Sequence, residues 1–319
     1  MRSDAAAEQE TLEQLVASLR GSVNRDGGWG SSARRQSTTE ATALAALALR
    51  SAPSEQTHSD IESASDWLLS RQLRDGGWPL SDAVPGSCWM TSLAVISLAR
   101  LPRSDHAQRA AIRGGLWLVR QRGLGTHWLL KVMYRLNLVP RTKPVVELDR
   151  DLIGWPWTAG SFSWVEPTAY AIIALKLMRS QFPRRTPEDR INMAEAMLLD
   201  RACPGGGWNY GNSRVLGEDL WPYPDTTALT LIALRDRPTG ETAEGLQALR
   251  GMLEANDSPL ALSLGMLAFD MYGRDAGNLR ERLIESIVEM GPPGDARALA
   301  FTLIALSGRS DLFRFDTDG

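Results

Sequence analysis

Residues 71–79 read Arg71-Gln72-Leu73-Arg74-Asp75-Gly76-Gly77-Trp78-Pro79, and this stretch decides the fold. An amphipathic segment runs up to Gln72 and gives way to two glycines and a tryptophan. Variants recur as RDGGWG at 25–30, LIGWPW at 152–157 and PGGGWNYG at 204–211. A second element follows each at a set distance. Trp29 precedes Thr42 by thirteen residues, and Trp78 and Trp155 precede Thr91 and Thr168 by the same interval; Trp208 reaches Thr227 only after an insertion. Each Thr opens a small-residue apolar segment: TALAALALR, TSLAVISLAR, TAYAIIALK and TALTLIALR. The chain is an internal repeat.

The segments after the threonines are apolar nearly all round, which predicts helices buried on most faces. Those before the Gly-Trp elements are amphipathic: in DIESASDWLLSRQL, Ile61, Ala64 and Leu68 share one stripe. The pattern places outer helices near 8–20, 60–73, 106–121, 187–200, 242–254 and 278–290. Inner helices are expected near 39–50, 90–100, 127–137, 167–179, 226–235, 259–270 and 297–307. A shorter or irregular element is expected over 138–165, which holds Pro140, Pro144 and Pro156. No strand alternation competes. Such hairpins cannot bury their inner faces alone, and neighbours must supply the rest, in a ring round a central cavity or, as the alternative, in an open solenoid. The expected fold is all-α, a single α/α toroid of six to seven helical hairpins over residues 1–319. Its repeats are clearest at 10–235 and degenerate at 236–307, and a short polar tail covers 308–319. The glycines are expected to end the outer helices in left-handed backbone, with each Trp as packing plate between hairpins.

Composition narrows the function. The chain has 319 residues, 43% of them hydrophobic, enough to bury a large core without metals or disulfides. Cys88 and Cys203 lie far apart and form no Cys-x-x-Cys pair. A formal net charge of −3 argues against nucleic acid as a partner. The start, MRSDAAAEQE, lacks the apolar core of a secretory signal, and no apolar run is long enough to span a membrane. The expected location is the cytoplasm, with peripheral membrane contact left open. The eleven tryptophans all fall at or before Trp221, so aromatic function is concentrated in the first two thirds.

The stretch Trp67-Leu68-Leu69-Ser70-Arg71-Gln72-Leu73-Arg74-Asp75-Gly76-Gly77-Trp78 resembles the QW repeat of squalene–hopene cyclases and related triterpene cyclases, whose superfamily includes protein prenyltransferase β-subunits. Arg113-Gly114 with Trp117-Leu118 keeps the first half of the motif. The resemblance implies an α/α toroid, agreeing with the ring inferred from the repeats. The triterpene cyclases carry two such domains and start cyclisation from an Asp-x-Asp-Asp motif before a Thr-Ala. Aligned on Thr227-Ala228, this chain reads Tyr223-Pro224-Asp225-Thr226, so Asp225 falls on the proton-donating aspartate and both flanking acids are missing. The prenyltransferase resemblance puts the zinc pattern Asp-x-Cys on Gly86-Ser87-Cys88, keeping Cys88 alone. No zinc, no other metal and no cofactor are expected.

Glu166 in WVEPTA and Glu40 in TTEATA stand in the same register as Asp225, two residues before the helical Thr. An acid able to protonate an alkene must be kept neutral by burial until used. The competing reading is that Asp225 and Glu166 are helix N-caps, Pro167 following Glu166 as a proline follows a cap. Trp89, Trp128, Trp164, Trp221 and Tyr223 fall at or before inner-helix starts, and in a ring they gather at one mouth. Their faces suit a cation, or simply a greasy ligand. His127 is the one histidine placed to orient an acid.

Three functions follow. The leading one is an isoprenoid cyclase-like enzyme, with Asp225 or Glu166 as the acid and Trp89, Trp128, Trp164, Trp221, Tyr223, Glu40 and His127 around the substrate. The second is a non-catalytic toroid that binds a lipid or a protein partner. The third is a prenyltransferase β-subunit-like protein without the zinc site. The expected partner is an isoprenoid or other apolar small molecule, a second subunit being left open.

Overall fold

A computed structural model describes residues 2–102, 104–125, 133, 136, 148–182 and 186–315. Alternation of two helix types is visible at once in burial. The inner helices are α2 (Thr39–Ser51), α4 (Thr91–Arg100), α6 (Val165–Leu177), α8 (Pro224–Ala233), α10 (Pro259–Met271) and α12 (Ala296–Leu306). They are built from Ala, Leu, Ile and Thr and are buried along almost their whole length. The outer helices are α1 (Arg2–Gly21), α3 (Glu55–Arg71), α5 (Asp105–Arg120), α7 (Thr186–Asp200), α9 (Gly240–Glu254) and α11 (Leu279–Met290). Several begin on a hydroxyl cap. Ser54 and Thr239 form reciprocal capping boxes, and the Ser104 side chain accepts from Ala107 N.

The inner helices close a ring. Each packs on the next, α2 on α4, α4 on α6, α6 on α8, α8 on α10 and α10 on α12, and α12 returns to α2. Backbone seals the joint, with Ala296 N donating to Ser31 O at 2.9 Å. Of the expected inner helix 127–137 only Met133 and Leu136 are described, and among the described elements α4 meets α6 directly. Between α5 and α6 the described stretch 148–164 holds no helix, as the prolines suggest. No strands were expected, yet a two-residue hairpin does form: Arg214–Val215 pairs with Glu218–Asp219 across Leu216 and Gly217, both at positive φ. It occupies the insertion in the fourth copy.

The thirteen-residue interval has a direct cause. The Thr hydroxyl accepts the backbone N–H of its Trp: Thr42 from Trp29, Thr91 from Trp78 and Thr168 from Trp155, each at 2.9 Å, and Thr227 from Trp208 at 2.8 Å. The indole N–H of the same Trp donates to a carbonyl at the end of the outer helix before it, Leu19, Leu68, Leu118 or Leu198. The four rings are at most 1% exposed, so every polar atom they bury is paired. The other motif residues tie neighbouring repeats together. Gln72 Nε2 donates to Gly76 O and to Ala110 O on α5, both at 2.8 Å. Trp67 donates its indole N–H to Asp26 one repeat back, and Trp117 does the same to Asp75.

The glycines do not end the helix. Helix α3 stops at Arg71, and Gln72 is already extended. Gly76 lies in the turn beyond, at φ +99, where an added Cβ would sit 2.7 Å from Arg113 O. Left-handed backbone and a close approach of the next outer helix both demand glycine there.

At one end of the ring, the last residues of inner helices gather round the C-terminal segment. Lys176 and Arg235 lie over the Phe315 ring, Phe313 stacks on Phe301, and Arg100 donates to the carbonyls of Leu312 and Arg314. Leu312, Phe313 and Phe315 are buried, so this part of the chain is not the polar tail its composition suggested. Lys176 is fully buried and pairs with Glu195 at 2.6 Å and with Asp236. The first residues of the inner helices therefore meet at the opposite end.

Candidate active site

At that opposite end, equivalent positions of four repeats converge. The second residues of α2, α6, α8 and α12 are Glu40, Glu166, Asp225 and Arg297. Arg297 Nη1 lies 2.6 Å from Glu166 Oε1 and 3.8 Å from Glu40 Oε1. Burial pushes the Glu40 and Glu166 carboxyls upward; Arg297 opposes this at both, while Glu166 raises Glu40 and Asp225 raises Glu166. Among the described residues, three carboxyl groups thus surround a single guanidinium. Arg297 is held in its charged form: burial works against it, but Tyr170 and the three acids outweigh burial.

Glu166 and Asp225 are not N-caps. The capping positions are Trp164 for α6 and Tyr223 for α8, both extended and neither with a capping side chain. Loop pairing starts α6 a residue before Glu166: Trp164 N donates to Trp155 O and Val165 N to Tyr210 O, which carries the strand-like backbone up to Val165. Pro167 is then third in the helix. The acids sit one step inside, where side chains point across the ring mouth. The true caps near the site are Thr38, accepting from Ala41 N, and Asp295, accepting from Ala298 N.

Aromatic residues stand round the acids in two groups. Tyr170, one turn after Glu166 on α6, is fully buried; burial raises its hydroxyl, which interacts with Arg297, Glu166, Glu40 and Asp225. Its Oη has no hydrogen-bond partner among the described residues. Trp89 stacks on Tyr170 at 5.9 Å and meets Trp157 edge-on at 4.8 Å. In the second group Trp164, Tyr210, Leu220, Trp221 and Tyr223 line an open cleft of about 290 Å³. Tyr210 and Tyr223 are 5.3 Å apart, and Tyr210 interacts electrostatically with Asp225, Glu166 and Arg297. Trp221 is 84% exposed, so it forms the rim rather than the wall.

Of the residues singled out from sequence, Glu40, Glu166 and Asp225 come together with Trp89 beside them, and Trp164, Trp221 and Tyr223 share the adjoining cleft. Trp128 and His127 lie outside the described residues. Arg297, Tyr170, Trp157 and Tyr210 were not anticipated. Arg297 did leave a signal: it is the one charged residue of ARALAFTLIAL, near the start of an otherwise apolar helix. Tyr170 left a weaker one, four residues after Glu166. Among the described residues no group of three His, Cys, Asp or Glu side chains is arranged to hold a metal ion, and burial pushes the Cys88 thiol up to about 11.

No protein-family model matches the chain, nor does any curated protein. Solved structures do. A protein from Actinoplanes is 19% identical with a TM-score of 0.61, covering 94% of this chain and 98% of its own. A variant of the type II terpene cyclase MstE from Scytonema, in complex with its substrate geranylgeranyl dihydroxybenzoate, is 13% identical with a TM-score of 0.64, covering 98% of this chain and all of its own. An alpha-amylase from Clostridium perfringens is 10% identical with a TM-score of 0.62, covering 94% and 98%. At these identities the likeness shows a fold, and the fold is the α/α toroid.

Proposed function

We propose that the protein is an isoprenoid cyclase-like enzyme in which a carboxylic acid at the ring mouth protonates a polyene. The observation that carries it is the convergence of Glu40 and Glu166 on Arg297, with Asp225 interacting electrostatically with both Arg297 and Glu166, beside Tyr170 and Trp89. With one guanidinium and three carboxyls among the described residues, full ionisation leaves excess negative charge in a site that burial makes poorly solvating. A proton retained by one carboxyl relieves that excess. The same surplus favours a cation in the substrate. Aromatic faces add to it, since their quadrupoles attract positive charge most strongly where water is excluded.

The substrate class follows from the surfaces. Tyr210, Leu220, Trp221 and Tyr223 expose apolar area around the cleft beside the acids, which suits entry of a hydrocarbon chain. The same rim is where a membrane surface would deliver one, and among the described residues no helix is long and apolar enough to cross it. A single toroid is no obstacle: the matched type II terpene cyclase is covered along its whole chain by this one. The likeness to an alpha-amylase gives a second reading, since an acid pair beside exposed aromatics also suits a sugar chain.

The test is incubation with squalene, farnesyl and geranylgeranyl diphosphate and geranylgeranyl dihydroxybenzoate, with starch as the contrasting arm. Extracts are read by mass spectrometry. A cyclic product from a polyene supports the proposal. Reducing sugar from starch with no polyene product moves the protein to the glycosidases, and intact lipid recovered bound without turnover makes it a binding toroid.

A further inference from the structure

Resting on that reading, the geometry points to Glu40 as the carboxyl that delivers the proton, with the Arg297–Glu166 ion pair as the device that keeps the proton on it. Asp225 and Glu166 were the acids expected from sequence, and Glu166 is the more deeply buried of the two. It is also the wrong one to react. Its side chain is 3% exposed and its Oε1 is 2.6 Å from Arg297, so it is occupied and out of reach. The Glu40 side chain is 24% exposed and its Oε1 stands 3.8 Å from the same Nη1, beyond a close ion pair. No hydrogen bond to the Glu40 carboxyl is made by any described residue.

One guanidinium neutralises one carboxylate. Because Glu166 takes it, Glu40 keeps its proton while facing Glu166 and Tyr170 on α6, Arg297 and Asp295 at the start of α12, and Cys88 just before α4. Burial and the two neighbouring anions raise the Glu40 carboxyl, and Arg297 at its longer distance only partly offsets them. The buried Tyr170 hydroxyl, without a partner among the described residues, faces the same space and has its bonding capacity left for whatever enters. A buried hydroxyl is seldom left unpaired.

The step balances. The Glu40 O–H bond breaks and the alkene π pair forms a new C–H bond, leaving a carbocation at the adjacent carbon and a carboxylate on Glu40. Arg297 is then near enough to shift toward the new anion, lowering the cost of making it. Successive π pairs close rings, and the last cation loses a proton to water. Glu40 is reprotonated from solvent through its exposed edge.

Two measurements test this. The first is the pH–rate profile of Glu40→Gln, Glu166→Gln and Asp225→Asn on whichever polyene is turned over, with circular dichroism to confirm folding. Glu40→Gln should lose on the order of 10³-fold in kcat at every pH, the scale of a missing general acid. Glu166→Gln frees Arg297 to ionise Glu40, so it should be slow at neutral pH and recover as pH is lowered. Glu40→Gln within tenfold of wild type, or rescued by acid while Glu166→Gln stays inactive, overturns the assignment. The second measurement needs no turnover: the infrared stretch of a protonated carboxyl at neutral pH should move in Glu40→Asp and stay in Glu166→Asp and Asp225→Glu. No such stretch, or one that moves with another acid, overturns Glu40. A stretch that does move with Glu40 in a protein that cyclises nothing upholds the proton assignment and removes the cyclase reading instead.

Discussion

Thr168 has little to do with substrate, yet it decides where the substrate site forms. Its hydroxyl accepts the N–H of Trp155 at 2.9 Å, and this bond pins the inner helix to the loop from which Glu166 enters the ring. Thr168→Val keeps the shape and removes the acceptor, leaving a buried N–H unpaired. A loss of about 1–3 kcal/mol is expected, with Thr168→Ser recovering most of it. Urea denaturation curves decide, and a valine variant as stable as wild type would mean the interval reflects packing alone. The interval was legible in sequence because it is local and recurs, while the hydrogen bond that causes it was not. The Arg297–Glu166 pair was not, because its members stand on different repeats and meet only when the ring closes. Arg297 also belongs to a copy that has lost its Gly-Trp signature, so no register flagged it. The competing reading of Glu166 as a cap fails for a local reason: Pro167 imitates the first helical residue, whereas the loop pairing of Trp164 and Val165 starts the helix earlier.

Between elements, the outer helices are kept close by residues too small to notice. Gly114 lies inside α5, where an added Cβ would come within 2.6 Å of the Trp78 ring and of Val95 Cγ2. Gly251 lies inside α9 with nothing within 4 Å of the same added atom. Intrinsic helix preference favours alanine over glycine at both by about 1 kcal/mol. At Gly114 overpacking of about 1–3 kcal/mol outweighs that gain. Gly114→Ala should therefore lower the melting temperature and Gly251→Ala raise it slightly. The same sign for both would mean that α5 can move off Trp78. The outer helices themselves were legible from amphipathic period and caps, and their described bounds differ from the expected ones by a few residues at most ends. The 214–219 hairpin was not, since strands of two residues are too short to show any period.

Over the whole molecule, closure is what sequence left undecided: a ring and an open solenoid share the same repeat. The contact of α12 with α2 decides it, and the buried Phe313 and Phe315 add a cover at the end away from the acids. Two sets of carboxyls then give the closed ring opposite responses to pH. Asp26 and Asp75 join neighbouring repeats. Slight burial would raise them, but hydrogen bonds from Trp67, Ser37 and Gly28 to the first, and from Ser87, Gly77 and Trp117 to the second, hold both below the ordinary 3.8. A depressed carboxyl stabilises the fold above its unfolded pKa, and that contribution is lost as pH falls through the folded value. Glu40 and Glu166 run the other way. Burial lifts them above the ordinary 4.5, so the fold binds their protons more readily than the unfolded chain does, and acidification toward that value stabilises. The melting temperature should hold or rise as pH falls from neutral to about 5, then drop below about 4, where free carboxylates titrate. Asp75→Asn should shrink the acid-side drop, because its contribution is already gone at neutral pH. Glu40→Gln should flatten the rise and leave the drop. If Asp75→Asn kept the wild-type acid limb while still lowering stability, the inter-repeat bond to Trp117 would be acting through shape rather than charge.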